Sequence, residues 1–77
     1  MDFWQVSDKA ISIVSASLTG TPAELDTAKY NANKLMRDNG YSAFIQIIPG
    51  IDCYNIQCST VNERQMKLTN TRTILMY

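Results

Sequence analysis

Two cysteines, Cys53 and Cys58, are the only thiols in this chain, and both lie in the stretch DCYNIQC. A thiol pair can form a disulfide, bind a metal or run redox chemistry, and each use sets a spacing. Five positions separate the two. If the stretch is a strand, side chains alternate faces and each residue advances about 3.3 Å. The two thiols then point to opposite sides with Cα atoms about 16 Å apart, whereas a disulfide needs them within about 7 Å. The spacing matches no C-x-x-C redox motif and no zinc pattern. The plainer reading is a strand in which Tyr54, Ile56 and Cys58 share one face and Cys53, Asn55 and Gln57 the other, with cysteine serving as a small apolar residue. A thiol-dependent dimer or a redox response through Cys53 is the alternative.

Other chemistry is scarce. There is no histidine, so no imidazole base is present. The carboxylates, Glu24, Asp26 and Glu63 among them, sit where caps, turns and helix surfaces are expected. SASLTGT places Ser, Thr and Gly before a helix start, which can hold an anion, but no phosphate-loop or dinucleotide fingerprint is present. No catalytic residue, no metal set and no cofactor site can be named, and the expectation is a protein that is not an enzyme.

What remains is recognition. Phe3 and Trp4 stand near the N-terminus, and tryptophan is a favoured interface anchor. They serve either as a contact or as cover for the edge of a small core. Gln46, Asn55 and Gln57 fall on adjacent strands and form either a recognition face or the ordinary wet face of an antiparallel sheet. Tyr41 and Phe44 are expected to fix their strand on a helix, and Tyr30 lies off the apolar stripe.

The elements that must position these residues are partly legible. TGTPAELDTAKYNANKLMRDNG carries Thr21 as N-cap, Pro22 at the first helical position and Glu24 three residues after the cap. Leu25, Ala28, Ala32, Leu35 and Met36 recur at helical spacing, and Asn39-Gly40 supplies a left-handed stop. The helix is predicted over 22–39. KAISIVSASL reads as a preceding strand, with Ile11 and Ile13 on one side. YSAFIQIIP reads as a second strand and DCYNIQCST as a third, joined through Pro49-Gly50 as an antiparallel hairpin. Thr60-Val61-Asn62-Glu63 resembles another capping box, so a short helix is expected over 61–69, followed by a strand from Arg72. One C-terminal helix is the alternative. The expected fold is α+β, a single small antiparallel sheet with helices on one face, in the order β-α-β-β-α-β.

Seventy-seven residues make one domain, 1–77, and 45% hydrophobic residues suffice for a core. Seven basic and seven acidic residues cancel. That argues against nucleic acid, whose phosphates need a basic face, and against electrostatic membrane binding. No apolar run approaches the ~20 residues of a membrane span, and the start lacks the basic-then-apolar pattern of a secretory signal. A cytoplasmic protein is expected. Zero net charge gives little colloidal repulsion, so a protein partner or a homodimer fits.

AKYNANKLMRDNGYSAFI resembles the first helix, closing glycine and second strand of the SPOR domain, and YNIQC stands where its third strand lies. The resemblance implies binding of peptidoglycan glycan strands on the open sheet face. It assigns no binding residue here. The leading expectation is instead a small protein-binding module, an accessory or inhibitor protein of the kind that phages and mobile elements encode. Phe3, Trp4, Gln46, Asn55 and Gln57 are its candidate contact residues.

Overall fold

In the computed structural model, which describes residues 2–76, five elements follow one another. They are α1 (Phe3–Ser15), α2 (Pro22–Asp38), β1 (Ala43–Pro49), β2 (Cys53–Val61) and β3 (Lys67–Leu75). The expected class holds: an α+β fold with one antiparallel sheet, strand order β1-β2-β3. Both helices lie on one face of it, α1 over β2 and β3, α2 against β1 and α1.

The first element corrects the sequence reading. Residues expected as a strand belong to α1. Asp2 caps it reciprocally: its Oδ1 accepts from the Gln5 amide at 2.9 Å, and Gln5 Oε1 accepts from the Asp2 amide at 3.2 Å. Phe3, Val6, Ala10, Ile11 and Val14 are buried, which is the helical series of three- and four-residue steps. Ile11, Ile13 and Val14 look strand-like only when the window starts at Lys9. The helix begins six residues earlier, and burial of its whole apolar stripe outweighs the modest propensity cost of β-branched residues. The tail ASL after Ser15 forms turns, with Ser17 and Leu18 amides bonded to the Val14 and Ser15 carbonyls.

Helix α2 matches its expected bounds within a residue, but of the capping box only the Thr21 half forms. The Glu24 amide donates to Thr21 Oγ1 at 3.2 Å, and Arg37 lies in the last turn, where the helix dipole favours it. Asn39 is the C-cap, and Gly40 follows at φ +85°, a left-handed conformation that glycine adopts without strain. The Glu24 carboxylate folds back onto Gly20. Ala28, Ala32 and Met36 are buried, and Leu25 and Leu35 pack beside them. The alanines let α2 approach its neighbours closely.

The hairpin through Pro49-Gly50 is present, closed by the Gly50 amide on the Cys53 carbonyl at 2.8 Å. The expected helix over 61–69 is not. Asn62 caps a turn instead: its Oδ1 accepts from the amides of Arg64 and Met66, both at 2.9 Å. Gln65 then takes φ 62° and turns the chain back into β3, a three-residue hairpin loop ending in a left-handed residue. Asparagine serves a turn as readily as a helix start, and the threonines beyond it favour a strand. The final strand accordingly begins at Lys67 rather than Arg72. Tyr77, which the expected strand included, lies outside the described residues.

The sheet has two unlike faces. Ile45, Ile56 and Cys58 are buried under the helices, with Ala43, Ile47, Leu68 and Ile74 packed around them. Asn70 and Arg72 share this inner face and tie β3 to α1. Asn70 Nδ2 donates to Ser7 Oγ and to Asp8 Oδ1, both at 2.8 Å. Arg72 donates to Ser12 Oγ at 3.0 Å and lies 3.8 Å from the Asp8 carboxylate. Among the described residues, no helix lies on the outer face.

Candidate functional site

Helix α1 sets the position of Trp4. Its Asp2 cap fixes the first turn, which aims Phe3 inward and Trp4 outward. Phe3 is 3% exposed and belongs to the core, so its ring is not available to a partner, and that part of the expected contact surface is corrected. It meets Trp4 edge-on, centroids 5.1 Å apart, and Tyr41 likewise at 5.9 Å, the arrangement that aromatic quadrupoles favour. Trp4 is 49% exposed. Its indole is thus held on a buried ring while presenting half its surface to solvent.

Trp4 stands at the lip of an open groove of about 580 Å³. The start of α1, the chain entering β1 and the β2–β3 turn form its walls. Tyr41, Val61 and Leu68 give it apolar surface, and Asp2, Glu63 and Arg64 give it charges of both signs. The left-handed Gln65 and the bonds to Asn62 hold the turn that closes one side. Trp4 is marked in the sequence but this setting is not, because Thr60-Val61-Asn62-Glu63 suits a helix start as well as the turn.

Gln46, Asn55 and Gln57 do come together on the open face of the sheet. Gln46 lies directly opposite Gln57, and Asn55 lies between Ile48 and Thr73. Thr73 Oγ1 donates to Asn55 Oδ1 at 2.7 Å, and the Ser59 and Thr69 hydroxyls are 3.3 Å apart. This uncharged polar strip is bordered by exposed Phe44, Ile48, Val61 and Leu75. Phe44 was expected to pack on a helix. It lies one residue from inward-facing Ile45, and alternation turns it outward. The strip and the Trp4 groove meet at Val61, which borders both, while Thr60 and Leu68 at the groove lie on the inner face.

The cysteines are free and occupy opposite faces, as their spacing implies. Cys58 is fully buried, and burial pushes its thiol up to about 11, which keeps it protonated and unreactive at neutral pH. Cys53 is half-buried, its Sγ lying over Gly50 at the hairpin. No group of three or more His, Cys, Asp or Glu side chains placed to hold a metal ion occurs among the described residues. Among the same residues, no helix is long and apolar enough to cross a membrane.

No protein-family model, no curated protein and no solved structure matches the chain. The SPOR likeness loses its support in element order, because α1 occupies the place of that module's first strand.

Proposed function

We propose that this chain is a small, non-enzymatic protein-binding module that docks on a partner protein through Trp4 and its groove. The observation that carries the reading is the placement of Trp4: half exposed, backed by the buried Phe3 ring, at the rim of a groove with apolar walls and mixed charges. A rigid aromatic beside a pocket is the usual form of an interface hot spot, because little side-chain entropy is lost when it is covered. The non-enzymatic reading rests on residue types. With no histidine and with carboxylates at caps and surfaces, no side chain has a defensible catalytic role. An accessory or inhibitory role inside the cell follows as the finer form of the same proposal.

A second reading, a glycan or small ligand on the open sheet face, is favoured by the pairing of Gln46 with Gln57 beside Asn55 and exposed Phe44. Capture experiments with immobilised chain separate the two. Docking on a protein predicts a stoichiometric partner that Trp4→Ala loses and Gln46→Ala retains. Retention on insoluble peptidoglycan, lost in Gln46→Ala and kept in Trp4→Ala, would overturn the docking reading in favour of the second.

A further inference from the structure

The two free edges of the sheet are not equivalent. β1 is the shorter and ends in Pro49, which has no N–H to offer a new strand. β3 runs nine residues, KLTNTRTIL, with neither proline nor glycine, and its register against β2 is unbroken from Lys67 to Leu75. Natural proteins blunt such edges with prolines, bulges, charges or covering elements. The charges of β3 are Lys67 at its start and inner-face Arg72, which is drawn back onto Ser12 and Asp8 of α1; an edge otherwise long and regular is a template for another strand.

The polarity of that edge follows from the ends of the hairpin. The Asn62 amide donates to the Met66 carbonyl, and the Met76 amide donates to the Asp52 carbonyl, both at 2.9 Å. In an antiparallel ladder the bonded pairs recur at every second residue. The bonded partners of β2 are therefore Leu68, Asn70, Arg72 and Ile74, in the observed register. The amides and carbonyls of Lys67, Thr69, Thr71, Thr73 and Leu75 point away from β2, toward the open edge.

We propose that β3 pairs antiparallel with β3 of a second copy of this chain, with Thr71 on the two-fold axis, making one continuous six-stranded sheet. The strand itself selects the register. Centred on Thr71, every outward-pointing residue meets another: Lys67 faces Leu75, Thr69 faces Thr73, and Thr71 faces itself. That gives about ten new backbone hydrogen bonds. Threonine pairs are favourable cross-strand neighbours, and the lysine stem covers the exposed Leu75. On the helix side Leu68 meets Ile74 and Asn70 meets Arg72, so apolar faces apolar and no like charges are opposed. A shift of the centre to Arg72 sets two guanidinium groups against each other. A shift to Asn70 leaves Leu75 without a partner. A shift that moves the pairing by a single residue sets inner faces against outer ones. The contact is isologous and closes at two copies. It does not involve Trp4 and meets the groove only at Leu68, and its test by mass does not depend on the docking proposal.

Sedimentation equilibrium of the full chain over a range of concentrations into the high micromolar tests this. The expected result is reversible doubling of the 8.7 kDa monomer mass. Thr71→Pro removes an N–H that points to the open edge and none that bonds β2, so it should abolish the doubling with far-UV circular dichroism unchanged. Thr71→Lys sets like charges on the axis and should do the same without a proline. Ile48→Lys, on the open face, should leave the dimer intact. A monomer at every concentration overturns the proposal. So does a dimer that survives both Thr71 variants, or one that Ile48→Lys destroys while they do not.

Discussion

Lys9 tests whether the first segment is a helix, on which the placement of Trp4 depends. It is exposed at the middle of α1, so its side chain contributes little packing and a change there reports on the backbone. In a helix its amide donates to the Gln5 carbonyl. Lys9→Pro removes that bond and sets the ring against the preceding turn, at a cost of about 3 kcal/mol or more. Lys9→Gly keeps the bond and costs about 1 kcal/mol through backbone entropy. A domain of 77 residues has roughly 4 to 12 kcal/mol to lose, so the proline change removes a large part of it. Urea denaturation followed by circular dichroism measures both, and the emission of Trp4, the sole tryptophan, reports whether its setting survives. The expected order is wild type above Lys9→Gly above Lys9→Pro, the last step being the larger. If Lys9→Pro costs less than about 1 kcal/mol, residue 9 does not lie in a helix interior and the placement of Trp4 fails with it.

Gln65 holds a left-handed backbone at φ 62°, so Gln65→Gly should stabilise the chain by up to about 1 kcal/mol, once the added freedom of the unfolded glycine is deducted; a loss in urea denaturation would contradict the turn geometry. The Cys58 thiol ionises near 9.0 when free and near 11 when folded, so above pH 9 the unfolded state releases a proton that the folded state keeps. Stability therefore falls as pH rises from 9 to 11, by about 2 to 3 kcal/mol in all. The difference between wild-type and Cys58→Ala denaturation curves should show that slope, and parallel curves would place the thiol in contact with water.

Where several local signals agreed, the fold was legible from the chain. Thr21-Pro22, the alanine stripe and Asn39-Gly40 mark both ends and one face of α2, and the structure follows them within a residue. The strands around Pro49-Gly50 were legible for the same reason, and the opposed faces of Cys53 and Cys58 followed from alternation alone. The errors arose where one signal serves two structures. Ile11, Ile13 and Val14 suit a strand, yet the pattern that decides the matter begins at Asp2 and Phe3, where a capping box and a buried ring start a helix. Asn62 suits a helix cap or a turn, and the left-handed Gln65 that selects the turn leaves no mark in sequence, since glutamine is not a residue that favours it. Of the contact residues, the open-face trio needed only strand alternation, which the sequence carries. The groove beside Trp4 needs the turn and the helix together, and the local sequence at each suits another structure equally well. The inward Phe3 and outward Trp4 are neighbours in one helical turn, and only the direction of the stripe tells them apart.

The most direct test of the central claim uses the full chain, immobilised and exposed to lysate of the cells that express it, beside Trp4→Ala and Gln46→Ala. Bound material is read by mass spectrometry, and folding of each variant is checked by circular dichroism. The account predicts one stoichiometric protein partner, retained by wild type and Gln46→Ala and lost with folded Trp4→Ala. A partner bound equally by Trp4→Ala, or no protein partner with retention on peptidoglycan instead, would contradict it.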